Sequence, residues 1–159
     1  MHKRLQQGFT IVELLIVVVV IGVLAAIVIV AYNGITASAH ETAVRADLSN
    51  FAKKVEVYKV QNGAYPSGTA QLDSMQFSVT EGSYDQTRNN FYYCPSADLT
   101  EYAVGVETVT DVQYYMVNGT TGPGSSLSYA NTCAELSPAG TGGNMGHDSA
   151  GTGWANWTQ

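Results

Sequence analysis

One carboxylate stands where carboxylates are rare. Glu13 precedes a stretch, Leu14 to Tyr32, that holds no charged residue and is almost wholly Leu, Ile, Val and Ala. A carboxylate on a membrane-spanning segment costs roughly 2.5 to 3.5 kcal/mol at mid-bilayer, which makes such a residue a functional candidate. A place near the cytoplasmic interface, wetted by headgroups, lowers that cost. It explains why Glu13 is tolerated, not why it is there. Cys94 and Cys133 are the other chemical pair, the only cysteines in the chain. In an exported domain an even cysteine count reads as a disulfide, with two unrelated thiols as the alternative. Closing a loop of this length stabilises a domain by about 4 kcal/mol in the chain-entropy view.

Catalytic constellations are missing. His147-Asp148-Ser149 contains the residue types of a hydrolytic triad, but three consecutive residues cannot adopt its geometry, and no nucleophile elbow is present. No metal is expected: His2 belongs to the first eight residues, His40 and His147 stand apart, and Asp148 or Asn144 lacks the spacing of a calcium loop. No glycine-rich phosphate cradle opens a helix, and no cofactor is implied. The chain reads as a non-enzyme. Lys53, Lys54 and Lys59 form a small basic cluster, read as a solvated helix face, with DNA capture as the functional alternative that the acidic total disfavours. A formal net charge of −6 argues against a specific nucleic-acid binder. The ten tyrosines fit strand packing better than an electron relay. Asn118-Gly119-Thr120 and Asn156-Trp157-Thr158 match the N-glycosylation pattern, relevant only in a host with that machinery.

These residues need elements to hold them. The 159 residues suffice for one modest domain and one extra element. As a helix, the uncharged run spans roughly 28 Å, about one bilayer core. The basic leader Met1 to Gly8 precedes the apolar run, the wrong order for ordinary secretory cleavage. The positive-inside rule puts Lys3 and Arg4 in the cytoplasm and residues 37–159 outside. Further on the period changes. Val44, Leu48, Phe51, Val55 and Tyr58 recur at alternating spacings of four and three, one face of an amphipathic helix. Asn62-Gly63, with Pro66 beyond, is its stop. One helix is therefore expected from about Thr10 to Gln61.

The stretch from Gly8 through Phe9, Thr10, Ile11, Val12, Glu13, Leu14 and Leu15 to Val18 resembles the processing and assembly motif of type IV prepilins. The likeness continues through Ile21 to Ile27 and Ala31-Tyr32, and again at the helix end, Asn62-Gly63 and Tyr65-Pro66. The resemblance implies a membrane precursor, N-terminus inside, cut after Gly8 by a prepilin peptidase that then methylates Phe9. It implies assembly by a membrane platform into an extracellular homo-oligomeric filament, with residues 9–36 as the membrane and assembly half of the helix. Glu13, buried in a bundle, then needs a cation, and the Phe9 amine of a neighbouring subunit supplies one. Many pilins carry a proline where this chain has Val30, so the helix here is more continuous. Gly22 and Gly34 remain weak points, each costing about 1 kcal/mol relative to Ala.

Residues 37–159 then form the extracellular domain. Residues 67–90 read as a loop with short elements, for instance around Phe77 to Val79. Strands are expected at Asn90 to Cys94, Glu101 to Thr110 and Val112 to Val117, with Leu127 to Tyr129 as a further edge strand. An antiparallel sheet on the helix stripe makes the fold α+β, the type IV pilin plan. As in many pilins, a Cys94–Cys133 bridge would close the C-terminal loop. The glycine-rich tail, Ser137 to Gln159, reads as loop. Its Trp154 and Trp157 either fold back on the sheet or form an aromatic contact surface. The functional expectation is a pilus subunit serving adhesion, motility or DNA uptake. A pseudopilin of a type II-like secretion system is the alternative, and a membrane-anchored binding module the second.

Overall fold

A single helix, α1, runs from Ile11 to Asn62. The computed structural model describes residues 9–136, 143–150 and 153–159. The chain separates into two units, divided between Ala37 and Ser38. In the first unit every side chain from Ile11 to Ile35 is exposed, Val17 at 51% and Ile29 at 62%. Here β-branched residues, ordinarily modest helix formers, dominate. The helix satisfies its backbone groups internally, which is what a non-aqueous surrounding demands. By length and composition this one helix, among the described residues, is long and apolar enough to cross a membrane.

In the second unit the same helix is amphipathic. Val44, Leu48, Phe51 and Val55 are fully buried. Tyr58, expected on that stripe, is only half-buried and lines a surface groove instead. Asp47 lies among the buried residues and makes no ion pair among the described residues. It accepts hydrogen bonds from the Thr80 amide at 2.7 Å and the Tyr84 hydroxyl at 3.0 Å, which replace its hydration. The helix stops at Gly63, whose left-handed φ of +81° lets its amide bond the Lys59 carbonyl at 2.7 Å.

Six antiparallel strands follow: β1 (Asn90–Pro95), β2 (Tyr102–Glu107), β3 (Gln113–Val117), β4 (Thr120–Pro123), β5 (Asn144–Asp148) and β6 (Gly153–Trp154). Their order across the sheet is β4-β3-β2-β1-β5-β6. Tyr92 pairs with Gly105 and Met145, and Val104 with Met116. Tyr93, Tyr102, Val104, Val106, Tyr114 and Met116 join the α1 stripe in one core. Phe51 is its hub, with the rings of Phe77, Phe91 and Tyr93 at 5.0, 5.3 and 5.6 Å. At Phe91 the backbone turns left-handed, φ 55°. The Asn90 side chain mends the ladder there: its oxygen accepts the Glu107 amide at 2.9 Å while its nitrogen donates to the Glu107 carbonyl at 2.7 Å.

Two expectations fail. No strand forms at 127–129; the hairpin partner of β3 is β4, and the short helix α3 (Tyr129–Ala134) follows. Ser128 caps α3 by accepting the Asn131 amide at 3.1 Å, which a strand could not use. Nor is the tail mere loop, since β5 and β6 extend the sheet beside β1; residues 137–142 and 151–152 lie outside the described residues. The 67–90 segment carries α2 (Thr69–Ser74) and a 3-10 turn at Glu81–Ser83. The outer sheet face is covered by residues 127–136. Cys94 and Cys133 form a disulfide with Cα atoms 5.3 Å apart, beside buried Ala103 and Leu136. Gly105 permits this close packing, because any Cβ there would overlap the Thr132 hydroxyl and the Leu127 side chain.

Candidate functional site

The start of α1 is built from Thr10 and Glu13. The Thr10 carbonyl accepts the Leu14 amide at 3.3 Å, which makes Thr10 the cap of the helix. Its hydroxyl accepts the Glu13 amide at 3.2 Å. In return Glu13 Oε2 accepts the Thr10 amide at 2.9 Å and the Thr10 hydroxyl at 2.7 Å. This is a reciprocal capping box: two backbone donors that a helix start leaves orphaned are both satisfied. Glu13 Oε1 accepts nothing among the described residues. Phe9 stands before the cap, 80% exposed. Thr10-x-x-Glu13 is a capping signature legible in the sequence itself. Gly8 lies outside the described residues.

The remaining candidates separate into structural roles. Trp157 is 1% exposed, its ring 5.5 Å from Phe91, and Trp154 is 8% exposed, 5.4 Å from Tyr84. Both fold into the core and present no aromatic contact surface. Their indole N–H groups find no hydrogen-bond partner among the described residues. The imidazole of His147 bonds the Arg88 carbonyl at 3.0 Å, Asp148 accepts the Ala150 amide at 2.9 Å, and Ser149 reaches Asn89 at 3.0 Å. These three side chains have three separate structural jobs. At the possible glycosylation sites, Asn118 accepts the Tyr102 amide at 2.9 Å, and Thr158 is fully buried.

The lysine cluster also divides. Lys59 sits 4.1 Å over the Tyr65 ring, and Lys54 donates to the carbonyls of Met75 and Gln76 at 2.8 and 2.6 Å. Lys53 has no ion pair or hydrogen bond among the described residues, and it opens onto a groove of about 730 Å³ between α1 and α2. Neighbouring Tyr65 donates to Glu56 at 2.6 Å; burial first, then that carboxylate, push its phenol up.

Sequence reading missed one acidic cluster altogether. The carboxylate oxygens of Asp85, Glu107 and Asp111 lie within 4.8 Å of one another. Arg88 faces two of them, Asp85 at 3.8 Å and Glu107 at 3.5 Å. Burial raises the Asp85 carboxyl, but the Thr87 hydrogen bonds, Arg88 and His147 outweigh it and hold Asp85 below the usual range. By charge and spacing the three could hold a cation, and a guanidinium already serves two of them.

Comparison with known proteins points to the helix start. Residues 3–29 match the prokaryotic N-terminal methylation motif. The chain is 28% identical to the type II secretion system core protein G of Pseudomonas aeruginosa over 123 residues, 77% of this chain and 82% of that protein. It is 38% identical to the type IV wide pilus major component PilA4 of Thermus thermophilus over 77 residues, 48% of this chain and 59% of that protein. Similarity to the fimbrial protein of Neisseria meningitidis serogroup A is 31% over 85 residues, 54% of this chain and 50% of that protein. The matches to the two pilus proteins thus span half to three-fifths of their length.

Proposed function

Because this chain belongs to the family of type IV pilins and pseudopilins, we propose that it is the structural subunit of a type IV pilus, processed at Gly8-Phe9, N-methylated on Phe9 and assembled outside the cell. The observation that carries this reading is the capped start of α1. Glu13 closes its own helix with one oxygen, and the other accepts no hydrogen bond among the described residues, at the head of an apolar surface exposed in the single subunit. Packed in a helix bundle, that surface leaves water and Glu13 loses its hydration. A carboxylate so placed needs a counter-charge, and the Phe9 amine freed by cleavage on the next subunit provides it at a fixed height. The precursor is held in the membrane by the same helix, N-terminus inside, until the peptidase and an assembly platform release it into the filament. A bridged, sheet-covered domain suits exposure to an oxidising exterior. Adhesion, motility and DNA uptake are the tasks such a filament serves.

The test is Glu13→Ala in the native cells. The variant is expected to be cleaved and to accumulate in the membrane while the sheared surface fraction loses the chain. Normal filament yield from this variant would sink the pairing.

One observation favours a second reading. The similarity to core protein G extends over 123 residues and so well into the folded domain, which suits a pseudopilus subunit of a secretion system. The two readings part on location: a processed chain confined to the membrane fraction selects the pseudopilus.

A further inference from the structure

We propose that the folded domain stacks head to tail on a second copy of this chain, the groove between α1 and α2 of one subunit receiving the β2–β3 turn of the next. The inference rests on the filament reading above and names the surfaces that meet. Beyond Ile35, the exposed large hydrophobic side chains among the described residues are Val57 at 55%, Val60 at 85% and Val109 at 48%. Val57 lines the groove with Tyr58, Ala70, Met75 and the unpaired Lys53. Val109 stands in the β2–β3 turn, two residues from exposed Asp111. Each patch is thus an apolar side chain with a charge beside it, and the charges are opposite.

The charge balance favours the same match. Asp111 shares its corner with Asp85 and Glu107, and against these three carboxylates the single guanidinium of Arg88 leaves two negative charges in excess. Arg45 is engaged by Tyr114, Lys54 by two carbonyls and Lys59 by Tyr65. Lys53 remains as the cation of the described residues without a partner.

The two patches lie at opposite ends of the domain. Val109 donates its amide to the Ser83 carbonyl at 2.9 Å, and the Ser83 hydroxyl meets His40 at 3.1 Å, so the turn sits beside residue 40 of α1. The start of β2 sits at the other end of the helix, where Lys59 reaches the Thr100 carbonyl at 3.3 Å. From His40 to Val57 the helix advances roughly 25 Å. A patch and its complement so far apart cannot meet within one subunit. Between copies they form a heterologous contact, which repeats into an open filament when its rotation does not close. A two-fold dimer would pair both patches at once and set the copies antiparallel, whereas subunits of one filament share a single direction.

Cysteine pairing in native cells tests this on the full-length chain. Cys94 and Cys133 are bonded to each other, so introduced thiols react with one another. A disulfide requires Cα atoms within roughly 4.4 to 6.8 Å. Co-expressed Val57→Cys and Val109→Cys chains are expected to form a cross-linked dimer that neither forms alone. Adding Lys53→Glu to the first chain reduces it severalfold, and Asp111→Lys in the second restores it. No dimer beyond that of either variant alone, with the parent chain present in sheared filaments, overturns the docking and leaves the filament reading intact. The dimer without any filament of the parent chain retires the filament reading and keeps the contact. Absence of cross-linking, with DNA retention lost on Lys53→Glu, assigns the groove to an anionic polymer and overturns the proposal.

Discussion

The helix α1 lives in two settings, and its two parts solve opposite problems. From Ile11 to Ile35 every side chain is exposed and nearly all are apolar. From Val44 to Val55 one apolar face is buried by its own chain and the other faces carry Arg45, Asn50 and Lys53. Backbone hydrogen bonding is alike in both; the side chains decide what each part needs. The second part finds its partner within the subunit and gains stability on folding. The first finds none there, so its apolar surface must be met by lipid or by other copies. Assembly is the unfinished half of this fold.

A substitution that removes apolar volume should therefore act differently in the two parts. Phe51→Ala empties the aromatic hub around Phe77, Phe91, Tyr93 and Trp157. It should cost about 5 kcal/mol of domain stability, measured by denaturant unfolding of the detergent-solubilised chain. Leu24→Ala, at a position 57% exposed, should leave that unfolding curve unchanged while lowering filament yield. Equal destabilisation by both would erase the distinction.

The disulfide sharpens the same contrast, since it closes 39 residues within the second unit. Replacing both cysteines by serine should lower domain stability by about 4 kcal/mol and leave the helicity of residues 11–35 intact, as read by amide exchange. At the start of α1 the effect is smaller. Thr10→Ala removes the cap and should cost about 1 kcal/mol, seen as faster exchange of the first-turn amides in micelles. Thr10→Ser should restore protection.

The smallest effect is one of pH. Asp85 has a folded pKa below its ordinary value of 3.8. A depressed carboxylate binds its proton more weakly when folded, so its stabilisation is present above the unfolded pKa and lost as pH falls through the folded one. The slope of stability below about pH 4 should flatten in Asp85→Asn, followed by thermal unfolding across that range.

Much of this was legible in the residues. Val44, Leu48, Phe51 and Val55 declare the buried face by spacing alone, and Gly63 declares the stop. The three central strands follow from their aromatic and β-branched runs. What escaped was set by contacts distant in sequence. In β5, Gly146 reads as loop, yet a Cβ there would come within 2.9 Å of Phe91 and Thr158, so the glycine permits a close strand. The helix α3 spans six residues, too short to show a period, and its signal was the Ser128 cap. The acidic corner of Asp85, Glu107 and Asp111 exists because Asp85 and the β2–β3 turn meet across the fold. Trp154 and Trp157 stand among glycines, and burial against Tyr84 and Phe51 shows only once the chain returns to the sheet.

The most direct test of the central claim is the intact mass and N-terminal sequence of the chain from the sheared surface fraction of its native cells. The account predicts a species that begins at Phe9 and carries one added methyl group. A functional chain that still begins at Met1 would contradict it and make α1 a plain membrane anchor.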